Sequence, residues 1–298
     1  MSLNRKQYDI LVLLEGKTEA LSQREIATET DMSVGSANKT IGELSELGYV
    51  AGGRITDAGR EALEPYRVKR AIFIAAGFGS RLVPITLNTP KPLVRVKGKR
   101  IIDSLLDAVV AAGIEEIYIV RGYLAEQFDQ LLHKYPTIKF LENPVYNETN
   151  NISSVYAARH LLAGSYIFEA DLFVYNPKIV TKYQYHTNYL AVPCEKTDDW
   201  CLVTDANGVV KKLQVGGIDC NHLYGISYWN EEDGKRLATH IENVYNNVPG
   251  GKERYWDQVP CETYLSEYKI HVRPCTFGDI IEIDTFNELK KIDSNYAM

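Results

Sequence analysis

The apolar positions of this chain keep two rhythms, and the change comes near residue 70. Over the first 66 residues they recur at helical spacing in short runs: Leu11 and Leu14, then Leu21 and Ile26, then Val34, Ala37, Ile41, Leu44 and Leu47. Oxygen-bearing side chains introduce the later runs. Ser22 with Glu25 is a capping-box pattern for a helix through Thr28, Ser33 caps the next helix, which Gly48 ends, and Thr56 caps DAGREAL, which Pro65 closes. Tyr49-Val50, Gly52-Gly53 and Arg54-Ile55 predict a very small hairpin. Beyond residue 70 buried-strand runs such as AIFIA (71–75) alternate with helical stretches. The pattern predicts helices over 101–112, about 124–134 and about 152–162, and strands over 116–120, 138–142 and 166–170. Such alternation implies parallel pairing with right-handed crossovers. Asn207-Gly208, between LVTD and VVKKL, predicts a hairpin and hence antiparallel strands added to the sheet. A helix over 231–245, a strand over 269–273 and a helix over 285–292 capped by Asp284 complete the pattern.

The expected fold is α/β: a mostly parallel, Rossmann-like sheet with antiparallel additions over residues 68–298, preceded by a small helical domain over 1–67. Helix, turn, helix, hairpin, helix resembles a winged helix-turn-helix, as in many bacterial transcription regulators. On its recognition helix Ser36, Asn38, Lys39, Thr40 and Glu43 lie off the apolar stripe, and Arg54 could project from the wing. Short polar side chains suit groove contacts, and two-fold pairing into a homodimer belongs to the same expectation. Against it, residues 1–70 hold 10 Lys and Arg against 11 Asp and Glu, so DNA finds little general attraction there. The alternative is an accessory domain that only packs.

Composition narrows the field further. With 45% hydrophobic and 24% charged residues in 298, global disorder is excluded. No apolar run approaches a membrane span, and the apolar stretch near the start is too interrupted by charge for a signal peptide, so a cytoplasmic location without membrane is expected. Cys194, Cys201, Cys220, Cys261 and Cys275 form an irregular set without CxxC, which argues against zinc knuckles and disulfide scaffolds. The six His are scattered without ligand spacing.

The sharpest signal is AAGFGSRLVPITLNTPKPLVRV, from Ala75 to Val96. It lacks the GK[ST] of a Walker loop and is not GxGxxG. A Gly-bearing turn directly after a buried strand can present consecutive backbone N–H groups to phosphate, with Ala76, Gly77, Gly79 and Ser80 in the cradle. Arg81 adds a fork of donors, and Lys91 is stiffened between Pro90 and Pro92. Together these resemble the signature of nucleotidyltransferases, which join a nucleoside triphosphate to a sugar phosphate or alcohol phosphate. Asp171 would stand at the carboxyl end of a strand, and Asp257 lies far away in sequence. Two such carboxylates can hold Mg²⁺, with Glu169 as rival or supporting acid. Trp200, Tyr255 and Trp256, with Glu195 as acidic partner, can make an aromatic box for a quaternary ammonium or can simply be core.

From about Lys69 onward the chain resembles the bacterial CTP:phosphocholine cytidylyltransferases. The matching segments are the Gly-rich stretch, VRGYLAEQFD, NPVYNETNNISSVYAAR, SYIFEADLF, DDWCLV, GISYW and RYWDQV. The resemblance implies that Gly77, Gly79, Ser80 and Arg81 hold the triphosphate of CTP, and that Lys91 contacts the reacting phosphates. It implies that Asp171 and Asp257 bind the metal, that Trp200, Tyr255, Trp256 and Glu195 hold choline, and that Asn150, Asn151 and Ser154 frame the nucleotide or the active site. The implied reaction is attack of phosphocholine on the α-phosphorus of CTP, giving CDP-choline and pyrophosphate. Usual members of that family lack the first 65 or so residues. Two alternatives stand beside it: a transferase for sugar-1-phosphate or another alcohol phosphate, and a DNA-binding regulator with a ligand-sensing transferase-like domain.

Overall fold

The computed structural model describes residues 2–296. The chain divides into two compact units, Met1–Arg67 with Tyr183–Tyr185, and Val68–Lys182 with His186–Met298.

In the first unit α1 (Arg5–Glu15), α2 (Gln23–Glu29) and α3 (Val34–Glu46) precede a minimal hairpin of β1 (Val50–Ala51) and β2 (Arg54–Ile55), followed by α4 (Asp57–Leu63). This is the winged-helix order. Its caps are those of the sequence: Ser22 and Glu25 close a full capping box, the Ser33 hydroxyl accepts from Ser36 N at 3.2 Å, and Thr56 accepts from Gly59 N at 3.1 Å. Leu11, Leu14, Ile26, Ala37, Ile41 and Leu44 are buried together. The stripe on α3 is narrower than expected, because Val34 and Leu47 are exposed. Thr40, expected on the outer face, is buried and returns its hydroxyl to Ser36 O, whereas Asn38 and Lys39 are exposed. The core is finished from far along the chain. Tyr183 is buried within it, and the Tyr185 ring stacks on Tyr66 at 5.4 Å.

The second unit runs β3 (Arg70–Ile74), β4 (Arg95–Val96), β5 (Lys99–Arg100), α5 (Ile101–Ala111), β6 (Glu116–Arg121), β7 (Ile138–Glu142), α6 (Ile152–Ala157), β8 (Ser165–Glu169) and β9 (Leu172–Val174). Then follow β10 (Asn188–Thr204), β11 (Val210–Trp229), α7 (Glu231–Asn247), β12 (His271–Pro274), β13 (Ile280–Glu282) and α8 (Phe286–Ile292). Seven strands form one sheet in the order β12-β10-β11-β8-β3-β6-β7. β8, β3, β6 and β7 pair in parallel, and β11 joins antiparallel to both β8 and β10. The Rossmann-like half and the antiparallel additions both take shape, and apolar cores lie on both faces of the central strands. Ala71, Phe73 and Phe168 point into one core, Ile72 and Ile167 into the other, which is why these strands read as unbroken apolar runs.

Three elements depart from expectation. Residues 125–133 form a 3₁₀ helix, and the stretch expected as one helix over 152–162 is the six-residue α6 followed by a 3₁₀ turn at Arg159–Leu161. The third matters for function. The cap of α8 is Thr285, whose hydroxyl accepts from Glu288 N, while the Glu288 carboxylate accepts from Thr285 N and Asp284 N at 2.8 and 2.9 Å. Asp284 is thus held by its backbone and its carboxylate is left for other work.

Candidate active site

Strand β3 ends in the Gly-rich turn, and the turn shapes one wall of a cleft of about 450 Å³. Gly79 is left-handed, with φ +69°, and a Cβ there would lie 2.9 Å from Lys91 Cβ. Glycine therefore answers two needs at once, a backbone turn that L side chains avoid and room for Lys91 beneath it. Phe78 turns away to meet Tyr123 edge-on at 4.7 Å. Ala76, Gly77, Gly79, Ser80 and Arg81 line the cleft, and so do Asn151 and Ser154 from the start of α6.

Lys91 is the centre of charge. It is 8% exposed, and its ammonium donates to Asp171 Oδ2 and Asp284 Oδ1, both at 2.8 Å. Burial by itself would lower its pKa, but the two carboxylates outweigh burial and the net shift is upward, so the ammonium stays charged. Arg81 donates to the same Asp284 oxygen at 2.8 Å from an exposed position.

Around these cations stand five carboxyl groups, Glu169, Asp171, Asp257, Glu282 and Asp284. Burial, then Asp171 and Asp257, push Glu169 well above the usual carboxylate range, and burial, then Asp171 and Asp284, do the same for Glu282. Gly225 on β11 leaves the space that Glu169 fills, since a Cβ there would lie 2.5 Å from its side chain. Asp171, Glu282 and Asp284 each bring an oxygen to within 4.8 Å of the others. Asp171 Oδ1 is buried without a partner among the described residues. A crowd of oxygen donors with surplus negative charge and an orphaned carboxylate oxygen fits a hard divalent cation.

Asp257 lines the same cleft, close enough to Glu169 for its charge to be felt there. Its Oδ1 accepts from the Tyr189 hydroxyl at 2.6 Å, and burial pushes its pKa up to about 7. The three acids whose oxygens converge are Asp171, Glu282 and Asp284, and Asp257, expected as the second metal aspartate, is not one of them. Sequence reading missed Glu282. It gave Asp284 to the cap of the helix over 285–292. The available signal was the Glu-x-Asp spacing of IIEID at the end of a strand, which puts both acids on one side.

The expected aromatic box divides. Trp200 and Tyr255 line the cleft and meet edge-to-face at 5.7 Å. Trp256 does not reach it: the indole is fully buried between Tyr189 and Trp229, as core. Glu195 is also absent from the cleft and lies on a separate surface hollow with Asp219, because β10 carries it outward. The acid that lines the cleft beside Trp200 is Asp199. Adjacency in DDW was its only signal.

Residues 70–188 match the Nucleotidyl transferase family and residues 1–61 the MarR family. The chain is 36% identical over 230 residues to the 2-aminoethylphosphonate cytidylyltransferase of Lancefieldella rimae, covering 76% of this chain and 93% of that one. It is 32% identical over 224 residues to the choline-phosphate cytidylyltransferase of Haemophilus influenzae, covering 74% and 95%. The structure of the CTP:phosphocholine cytidylyltransferase of Streptococcus pneumoniae superposes with a TM-score of 0.71 at 32% identity, over 77% of this chain and 99% of that one. No helix among the described residues is long and apolar enough to cross a membrane. The chain belongs to the nucleotidyltransferases related to bacterial choline-phosphate cytidylyltransferase, an enzyme for CTP-dependent nucleotidyl transfer to a phosphoryl-bearing acceptor, with a winged-helix domain fused at its N-terminus.

Proposed function

We propose that the acceptor carries a cationic nitrogen at the end opposite its phosphoryl group, and that phosphocholine is its first candidate. The observation that carries this is the Trp200–Tyr255 pair, with Asp199 beside it, in the same cleft as Lys91 and the carboxylate triad. Ring faces and a carboxylate attract a quaternary ammonium, which has no N–H to donate.

In this reading the backbone N–H groups of Gly77–Ser80 cradle the triphosphate and Arg81 binds its outer phosphates. Lys91 faces the α-phosphate, where negative charge builds as the reaction proceeds. The acceptor's phosphoryl oxygen, already anionic near neutral pH, forms the new bond to the α-phosphorus, and the bond to the pyrophosphate oxygen breaks in line. No enzymatic base or covalent intermediate is required. Asp171, Glu282 and Asp284 would hold Mg²⁺, which supplies charge neutralisation at the phosphates when bound.

The second reading is a primary amine acceptor such as 2-aminoethylphosphonate. Trp256 is in the core, so only two of the three expected rings line the cleft, and Asp199 offers the hydrogen-bond acceptor that a compact ammonium wants. The Lancefieldella rimae relative is named for that substrate. Initial rates of pyrophosphate release with CTP and each of phosphocholine, phosphoethanolamine, 2-aminoethylphosphonate and glucose-1-phosphate decide the matter. The first reading expects phosphocholine to exceed phosphoethanolamine by about tenfold in kcat/KM, since cation–π attraction in a desolvated site is worth up to about 2 kcal/mol. A faster rate with 2-aminoethylphosphonate selects the second reading, and a preference for glucose-1-phosphate removes both. For the winged helix we propose duplex DNA as partner, on the exposed Asn38, Lys39 and Arg54, tested by fluorescence anisotropy across a salt series.

A further inference from the structure

Asn151 was expected to frame the nucleotide, yet each end of its side chain already makes a bond to protein. Its Nδ2 donates to Glu169 Oε1 at 3.1 Å, and its Oδ1 accepts from Trp256 N at 2.8 Å. Its neighbour Asn150 holds the same loop from the other side: Asn150 N donates to Lys252 O at 2.8 Å and Asn150 Nδ2 to Glu253 O at 3.1 Å. The loop so gripped carries Tyr255, half-exposed into the cleft, between two fixed points at Glu253 and Trp256. The Trp256 indole is locked in the core, and a single π turn, Val259–Thr263, follows. Tyr255 itself donates its backbone N to Gln258 Oε1 at 3.1 Å, and its ring touches Trp200.

From this geometry we infer that Asn151 is a positioning residue for the acceptor: by joining Glu169 at the end of β8 to the backbone of Trp256, it fixes where the Tyr255 ring stands. The inference rests on the reading that the acceptor's cationic end lies against Trp200 and Tyr255. It makes Asn151 act on the acceptor through Tyr255 rather than on CTP directly. Loss of Asn151 leaves the Trp256 N–H, beneath a packed indole, without its acceptor, so the loop shifts to recover a partner.

The test is a kinetic double-mutant cycle on the full chain. Asn151→Ala should raise the KM for the cationic acceptor by about tenfold, the worth of one well-placed hydrogen bond, while the KM for CTP stays within about twofold. In a Tyr255→Ala background the same substitution should have little further effect on the acceptor KM, because the ring it positions is gone. Asn151→Ser, too short to span both partners, should repeat the result if the alanine variant does not fold. A rise in the KM for CTP with the acceptor KM unchanged would make Asn151 a nucleotide contact and overturn the inference, as would full additivity with Tyr255→Ala. Failure of the underlying reading looks different: the wild-type enzyme would then turn over no cationic acceptor, or Tyr255→Ala alone would leave the acceptor KM unchanged.

Discussion

The winged-helix unit and the catalytic cleft solve the same problem, fixing polar groups in place, by opposite routes. In the first unit the caps are local: Ser22, Ser33 and Thr56 each bond a backbone N–H three residues on. In the cleft the bonds that matter span 80 residues from Lys91 to Asp171, 193 from Lys91 to Asp284 and 203 from Arg81 to Asp284. A local cap is lost without disturbing its neighbours. A long-range charge cluster is mutually dependent, since each cation is held by carboxylates that repel one another without it. The cleft should therefore fail steeply under single substitutions and the winged helix only by degrees.

The largest effect tests that contrast at its extreme. Asp171→Ala and Asp284→Ala should each lower kcat by at least about a thousandfold at saturating Mg²⁺, because each removes a triad oxygen and a partner of Lys91. Asp257→Ala should cost less, since its bonded partner is the Tyr189 hydroxyl. Pyrophosphate release measured across a Mg²⁺ titration checks this. Equal losses for Asp257 and Asp284 would favour the metal site with Asp257 that the sequence suggested.

Lys91→Ala comes next, with kcat falling about a hundredfold and the KM for CTP changing less, because its charge is needed most as the α-phosphate becomes more negative. If only the KM rises, Lys91 is a docking residue.

How much of this was legible follows from the same contrast. The caps of the first unit, the hairpin at 50–55, the strand rhythm and the Gly-rich turn are written in adjacent residues, and all appear where the sequence puts them. The partners of Lys91 are not adjacent to anything that names them. Asp284 stands before Thr285 and looks like a cap, Glu282 looks like a strand residue, and only the fold brings β13 beside β9 and so beside Asp171. Trp256 misled for the converse reason. RYWDQ places three aromatic and acidic side chains in a row, but successive residues face different ways, so Tyr255 meets the cleft and Trp256 the core. The first unit has one non-local debt of its own, Tyr183–Tyr185, and no local pattern announces it.

That segment gives the third prediction. Tyr183→Ala should destabilise the winged-helix unit by on the order of 3 kcal/mol, as a buried ring lost from a packed core, and leave kcat unchanged. Hydrogen exchange at α1 and α3 reads the first and pyrophosphate release the second. If protection of those helices is unchanged, the unit is closed by its local signals alone.

The smallest effects sharpen the comparison most, because they apply one chemistry in both regions. Ser33 and Thr285 are both N-caps whose hydroxyls accept from the backbone three residues on, at 3.2 Å in each case. Ser33→Ala and Thr285→Ala should each cost about 1 kcal/mol of local stability. Their functional consequences should differ. Ser33 opens α3, whose outward residues take no part in the cleft, so turnover should be unchanged. Thr285 opens α8 directly after Asp284, and the capping box it completes includes Glu288, whose carboxylate also holds the Asp284 backbone. A loosened cap lets that backbone drift, and with it the oxygen shared by Lys91 and Arg81. Thr285→Ala should therefore lower kcat several-fold, and Glu288→Ala more, since two bonds to the loop go with it, in line with the roughly ten- to hundredfold cost of losing a group that orients a metal ligand. Thermal unfolding and kcat, measured on all three variants, separate the two roles. Were Thr285→Ala as silent in turnover as Ser33→Ala, Asp284 would be fixed by its ion pairs alone, and the cap would be no part of the site.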